Sequence, residues 1–210
     1  MAGSSKCGFS ELGLAAEALL AAEAALRIES NSRRVNAFAG QLAADGQTPR
    51  AATVLQEWLK NAEEDGQSWA NLGMMQQQMG RDTEALAAYE QSLKHADPNP
   101  VILNNMAWLY LERDGRRAVE LATQAYELSP SRAEIVDTYG WVLFRHGRKS
   151  EVLAALQQAL IIAPRNAEIA LHTAEALHGM DREREARPML ERNILEPPNI
   201  GFALSAQQLL

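Results

Sequence analysis

Apolar residues recur along this chain at spacings of three and four, broken at short intervals by glycine and then by proline. The stretch "MMQQQMGRDTEALAAYEQSL" shows the figure. An apolar run with helical spacing ends at a glycine, and a second such run comes after it. The pattern predicts helix, tight turn, helix. A proline at the end of the second run stops that helix and leads into the next. The same figure returns in "NMAWLYLERDGRRAVELATQAYELSP", "TYGWVLFRHGRKSEVLAALQQALIIAP" and "HTAEALHGMDREREARPMLERNILEPP". Upstream, "AFAGQLAADGQTPRAATVLQEWLKNAEED" obeys the same frame without the proline.

Numbering within a period of about 34 residues turns the likeness into a frame. The units are 32–65, 66–99, 100–132, 133–166 and 167–200, with the third one residue short around Arg116–Arg117. A small residue falls at the eighth position of each, at Ala39, Gly73, Ala107, Gly140 and Ala174. Another opens the second helix at Ala51, Ala85, Ala118 and Ala186, with Val152 as the exception. The turn holds Gly46, Gly80, Gly115 and Gly147, and in the last unit Asp181. Prolines close the units at Pro98, Pro130, Pro164 and Pro198. Small residues at both marked positions let the two helices approach closely. One such pair cannot bury its own apolar face, so neighbours must stack. Residues 10–31 read as the second helix of a unit whose first is missing, residues 1–9 as a leader or tag, and 201–210 as a capping helix. That arrangement suggests the C-terminal piece of a larger protein.

Charge and composition narrow the role. The net charge is −7, and no basic face is visible, so nucleic acid is not an expected partner. No run of eighteen apolar residues occurs, so no direct membrane span is expected. The single cysteine, Cys7, excludes an internal disulfide framework and any cysteine-rich zinc module. No apolar segment precedes Cys7, which favours a spare thiol over a lipid attachment site. The compartment stays open.

The repeated motifs resemble the tetratricopeptide repeat family over roughly residues 10–200. Trp69, Leu72, Gly73, Ala85, Tyr89 and Pro98 sit in one unit near the family's full pattern. The resemblance implies an all-α, right-handed α-solenoid of stacked helix-turn-helix repeats, with the first helix of each unit lining a concave groove. The residues it places there as partner-binding candidates are Asn71, Met74, Asn104, Asn105, Trp108, Leu111, Asp137, Trp141 and Phe144. Trp108 and Trp141 hold the same position in consecutive units. Large aromatics in a groove are the usual anchors of protein recognition. The competing reading is that both tryptophans pack against the first helix of the next unit as extra core.

Some members of the family clamp a partner's C-terminal carboxylate with lysine or arginine plus asparagine. Here the asparagines are present, but Gln67, Val101 and Glu134 stand where the cations belong. A carboxylate clamp is therefore not expected. His172, Glu175 and His178 share a helix face but do not form a recognised metal motif, and no cofactor, metal or catalytic residue is assigned. The expected function is a non-catalytic module that binds a protein or peptide segment in the groove. The alternatives are a scaffold acting through outer or terminal surfaces, and a metal-dependent enzyme or helper subunit. A narrower resemblance, carried by "NNMAWLYLE", "AVELATQAYELSP" and "DTYGWVLFRHGR", is to C-terminal repeats of bacterial proteins that accompany exopolysaccharide export and the PEP-CTERM sorting system. It implies a periplasmic or outer-membrane-associated setting, as against a cytoplasmic one.

Overall fold

Glycine, proline and asparagine punctuate the chain as the pattern requires. The computed structural model describes residues 30–195. The expected leader at 1–9, nearly all of the partial repeat at 10–31 and the capping helix at 201–210 lie outside the described residues. Ten helices are present among them: α1 Ser32–Ala44, α2 Thr48–Leu59, α3 Gly66–Gln78, α4 Asp82–His95, α5 Pro100–Tyr110, α6 Gly115–Leu128, α7 Ala133–Arg145, α8 Lys149–Ile162, α9 Ala167–His178 and α10 Glu183–Leu195. The fold class is all-α. The chain divides into two compact units, Met1–Asp97 and Pro98–Leu210.

In the first unit α1 packs on α2 and α3, and α3 packs on α4. Val35, Phe38, Leu42, Leu55 and Leu59 form its buried centre. Each such side chain contributes about 1.5–3 kcal/mol when fully withdrawn from water. In the second unit α5 and α6, α7 and α8, and α9 and α10 form successive pairs. The first helices also touch one another there, α5 on α7 and α7 on α9.

The small positions lie where the helices of a pair cross. Ala39, Ala107 and Ala174 are buried to 1% or less, as are Ala51, Ala85 and Ala118. Val152, the larger exception, is equally buried. Gly73 and Gly140 are closed off by neighbours: a Cβ on Gly73 would fall 2.5 Å from the Tyr89 ring, and one on Gly140 would fall 2.8 Å from Leu156. Only a bare backbone fits these crossings.

Four turns share one design. Gly46, Gly80, Gly147 and Asp181 are all left-handed, with φ between 60° and 75°. The residue after each donates its N–H to a carbonyl five positions back, as in Arg81 to Gln76 and Arg148 to Leu143. This closes the first helix of the pair. The third turn differs from expectation. Gly115 is not its turn residue but the first residue of α6, with Asp114 as the cap accepting from the Arg117 N–H. Arg113 and Asp114 both donate to the Tyr110 carbonyl. The missing residue of this unit therefore falls before Gly115, in the turn, rather than at Arg116–Arg117. The reason is physical: helix α6 keeps its capping aspartate, and the left-handed residue is what the shorter loop dispenses with.

Candidate functional site

Four of the five described first helices, all but α7, begin at capping side chains. Asn31, Asp65, Asn99 and Asn166 accept from backbone N–H groups one turn into α1, α3, α5 and α9. Such caps fix where each helix starts. They thereby fix which residues stand opposite one another on adjacent helices. The fifth position of one first helix then faces the sixth position of the next, giving a rung between them.

In the first unit that rung is Asn36 on α1 with Asn71 on α3. Asn71 Nδ2 donates to Asn36 Oδ1 at 2.7 Å. Asn36 in turn donates to Ser68 Oγ and to the Ser32 carbonyl, each at 2.8 Å. The Asn71 oxygen accepts from Gln67 at 3.2 Å. Both ends of the Asn71 amide are thus engaged within the fold. Met74 stands half-buried further along α3.

In the second unit the last rung is Asp137 on α7 with His172 on α9, at 2.7 Å between Asp137 Oδ2 and His172 Nδ1. Both side chains are buried. The His172 ring stacks on Trp141, with centroids 4.4 Å apart and planes 18° apart. It also lies 5.8 Å from the Trp108 ring, tilted by 38°. Arg145 lies over the Trp141 ring as well, 5.7 Å from its centroid, and pairs with Glu112.

The middle rung is absent. Its two residues would be Asn104 on α5 and Thr138 on α7. Thr138 Oγ1 instead donates to the Glu134 carbonyl at 2.8 Å and accepts the Trp108 indole N–H at 2.9 Å. Asn104 Oδ1 is buried and has no partner among the described residues, and so is Asp137 Oδ1. A recess of about 100 Å³ lies here, walled by Asn104, Trp108, Asp137, Thr138 and Ile169, with Glu134 and Glu168 beside them.

The two tryptophans therefore differ despite their shared repeat position. Trp141 is 7% exposed, sealed between His172, Phe144 and Arg145. Trp108 is half-buried, with its indole nitrogen fixed and part of its ring open. Leu111 is buried at the end of α5. Phe144 and Asn105 are half-buried on α7 and α5. His172, singled out in the sequence only with Glu175 and His178, has a different role: it joins Asp137 and both tryptophans. The signal that finds it is the sixth-position register shared with Asn71 and Thr138, not its spacing from His178.

Comparisons agree with this architecture. A tetratricopeptide repeat model matches residues 68–101. The TPR repeat-containing protein PA4667 of Pseudomonas aeruginosa is 30% identical over 140 residues, which is 64% of this chain and 23% of that protein. The match thus spans about a quarter of that relative's length. Among solved structures, YrrB, described as a TPR protein with an unusual peptide-binding site, aligns with a TM-score of 0.71 and 18% identity, over 90% of this chain and 98% of its own. TTC0263, a thermophilic TPR protein of Thermus thermophilus, aligns with a TM-score of 0.67 and 19% identity, over 85% of this chain and 98% of its own. No described helix is long and apolar enough to cross a membrane. The recurring small-residue frame and the paired helices give the described residues the fold of the tetratricopeptide-repeat structures they align with, and residues 68–101 are matched by the tetratricopeptide repeat model itself.

Proposed function

We propose that the second unit binds an extended segment of a partner protein along the face built by α5, α7 and α9. The observation that carries this reading is Trp108: a half-exposed indole held by Thr138 at the mouth of a recess in that face. A rigid, partly open aromatic buries much area on binding at little entropic cost. Asn105 and Phe144 stand half-buried on the same helices and extend the surface on either side. Trp141, Leu111 and Asp137 contribute from beneath, holding the face rather than meeting the partner first. The description of YrrB as peptide-binding supports the same use of the fold. A role in exopolysaccharide export is the more specific setting that the sequence suggests, and binding through this face is compatible with it.

The test is a selection of random peptides on the immobilised full chain, repeated with Trp108→Ala. Peptides enriched by the native chain should lose about tenfold or more in affinity against the variant, the scale of a truncated aromatic anchor. Circular dichroism should show the helices intact. Equal binding by a well-folded variant would remove the surface from consideration.

A further inference from the structure

The recess at the missing rung has a definite polarity. Three of its neighbours carry carboxylates, Glu134, Asp137 and Glu168, and none of its lining residues is a cation. Glu134 and Glu168 stand in the first turns of α7 and α9, where the helix ends already favour negative charge. Asp137 has no such compensation. It lies a turn deeper, only 4% exposed, with one oxygen taken by His172 and the other unpartnered. Asn104 presents a second unpartnered oxygen in the same wall. Buried carboxylates elsewhere in proteins are paired or fully hydrogen-bonded, because an unmatched one is costly. Trp108 adds a π-face, which also attracts cations.

We propose that this recess takes the ammonium head of a lysine side chain on the bound segment. The head donates to Asp137 Oδ1 and Asn104 Oδ1, and the methylene stem lies along Trp108. An ammonium offers three donors and no acceptor, which matches the two buried unpartnered oxygens of this wall, Asn104 Oδ1 and Asp137 Oδ1. The recess is far larger than a single water needs and too small for a length of peptide. This is the inverse of a carboxylate clamp: the fold presents the acceptors and the partner brings the cation. The chain's net charge of −7 favours approach of a basic segment. The proposal rests on the binding face described above, and its test separates the two.

In the full chain, the Trp108 indole N–H is followed by NMR while Nα-acetyl-lysine methylamide is added, with the norleucine counterpart as control. The lysine probe should shift the signal with an affinity on the order of millimolar, and the norleucine probe should not. Asp137→Asn, which keeps an acceptor for His172, should weaken the response about tenfold. Glu134→Gln and Glu168→Gln, both at exposed positions, should each weaken it about twofold at low salt. In the peptide selection, the native chain should enrich lysine at one position, and Asp137→Asn should lose that enrichment while keeping the apolar positions. Equal response to both probes, or a response unchanged by Asp137→Asn, overturns the recess as a cation site. Selected peptides with no basic position do the same while leaving the binding face standing. A lysine response without any selected peptide leaves the recess standing and removes the binding face.

Discussion

The first-helix faces of the two units use one repeat frame and make opposite things of it. In the first unit the rung between α1 and α3 is polar and closed: Asn36, Ser32, Ser68, Gln67 and Asn71 exchange hydrogen bonds among themselves. In the second unit an aromatic and ionic cluster occupies the same register, and one rung is left open, with two buried acceptors unpartnered. Ala39, Gly73, Ala107 and Gly140, by contrast, are the same in kind and in burial in both units. The frame positions are fixed by how closely two helices must approach. The face positions are constrained only by which side chains can meet across a rung, and they are therefore free to carry a binding preference.

The largest effect should come from Trp141→Ala. This ring fills the space between His172, Phe144 and Arg145. Its removal should lower stability by about 3–5 kcal/mol, as for other buried tryptophans. Trp108→Ala should cost much less, because part of that ring is already in water. Urea unfolding of both variants measures the gap. Equal losses would mean that the two tryptophans are alike, and the distinction between packing and binding aromatics would fail.

Next in size are the helix crossings, which should make the units behave alike. Gly73→Val drives a branched side chain into the Tyr89 ring, and Gly140→Val drives one into Leu156. Each should cost about 1–3 kcal/mol through overpacking, and occasionally more. Thermal unfolding of the two variants should show comparable losses. A large loss at one site beside a negligible loss at the other would show that the shared frame does not carry shared energetics.

Much of this is legible in the sequence. Period, small positions and prolines are local signals: the small positions follow from how closely two packed helices approach, and the prolines from where a helix has to stop. Even the short third unit is visible, although the frame alone puts the deletion a few residues late. A one-residue loss in a turn and one at the start of the next helix leave the same spacing, and only the capping bond from the Arg117 N–H to Asp114 distinguishes them. The face is less legible. Trp108 and Trp141 look identical in the frame, but their burial depends on the residue one unit further along: Thr138 reaches the first, and His172 covers the second. Asn104 likewise looks like Asn36 until its partner position proves to be a threonine already engaged by Trp108. These are contacts between residues about thirty apart, and no local pattern encodes them.

The rungs supply a smaller and more pointed comparison. Asn36→Ala removes several bonds and strands the Asn71 amide, so it should cost about 1–2 kcal/mol. Asn104→Ala removes an acceptor that has no internal partner among the described residues, and it should change stability by about 0.5 kcal/mol or less. Chemical denaturation of the two variants reads the difference. A loss at Asn104 as large as that at Asn36 would show that the open rung is satisfied within the fold, and the case for an external cation would weaken with it.

The smallest effect is a pH dependence that belongs to the first unit. Asp65 caps α3 through the Ser68 N–H at 3.1 Å and accepts the Trp58 indole N–H at 2.8 Å. Burial alone would raise its pKa. Hydrogen bonds from the Ser32, Ser68 and Trp58 side chains and the Ser68 backbone outweigh that and hold the carboxyl below its ordinary value. A carboxyl whose folded pKa is depressed stabilises the fold fully above its unfolded value of about 3.9, and it loses that contribution as the pH falls through the folded value. In α7 of the second unit the equivalent position is Arg132, which makes no side-chain cap. The Trp58 indole N–H should therefore shift with a midpoint below about 3.9 in an NMR titration. Asp65→Asn, which still caps a helix but offers one acceptor oxygen where Asp65 uses two, should abolish that shift and lower stability at neutral pH by about 1 kcal/mol. A midpoint above the ordinary carboxyl value would mean that burial, not hydrogen bonding, governs this cap. The sign of the acid dependence would then reverse, because protonation at Asp65 would favour the folded unit rather than weaken it.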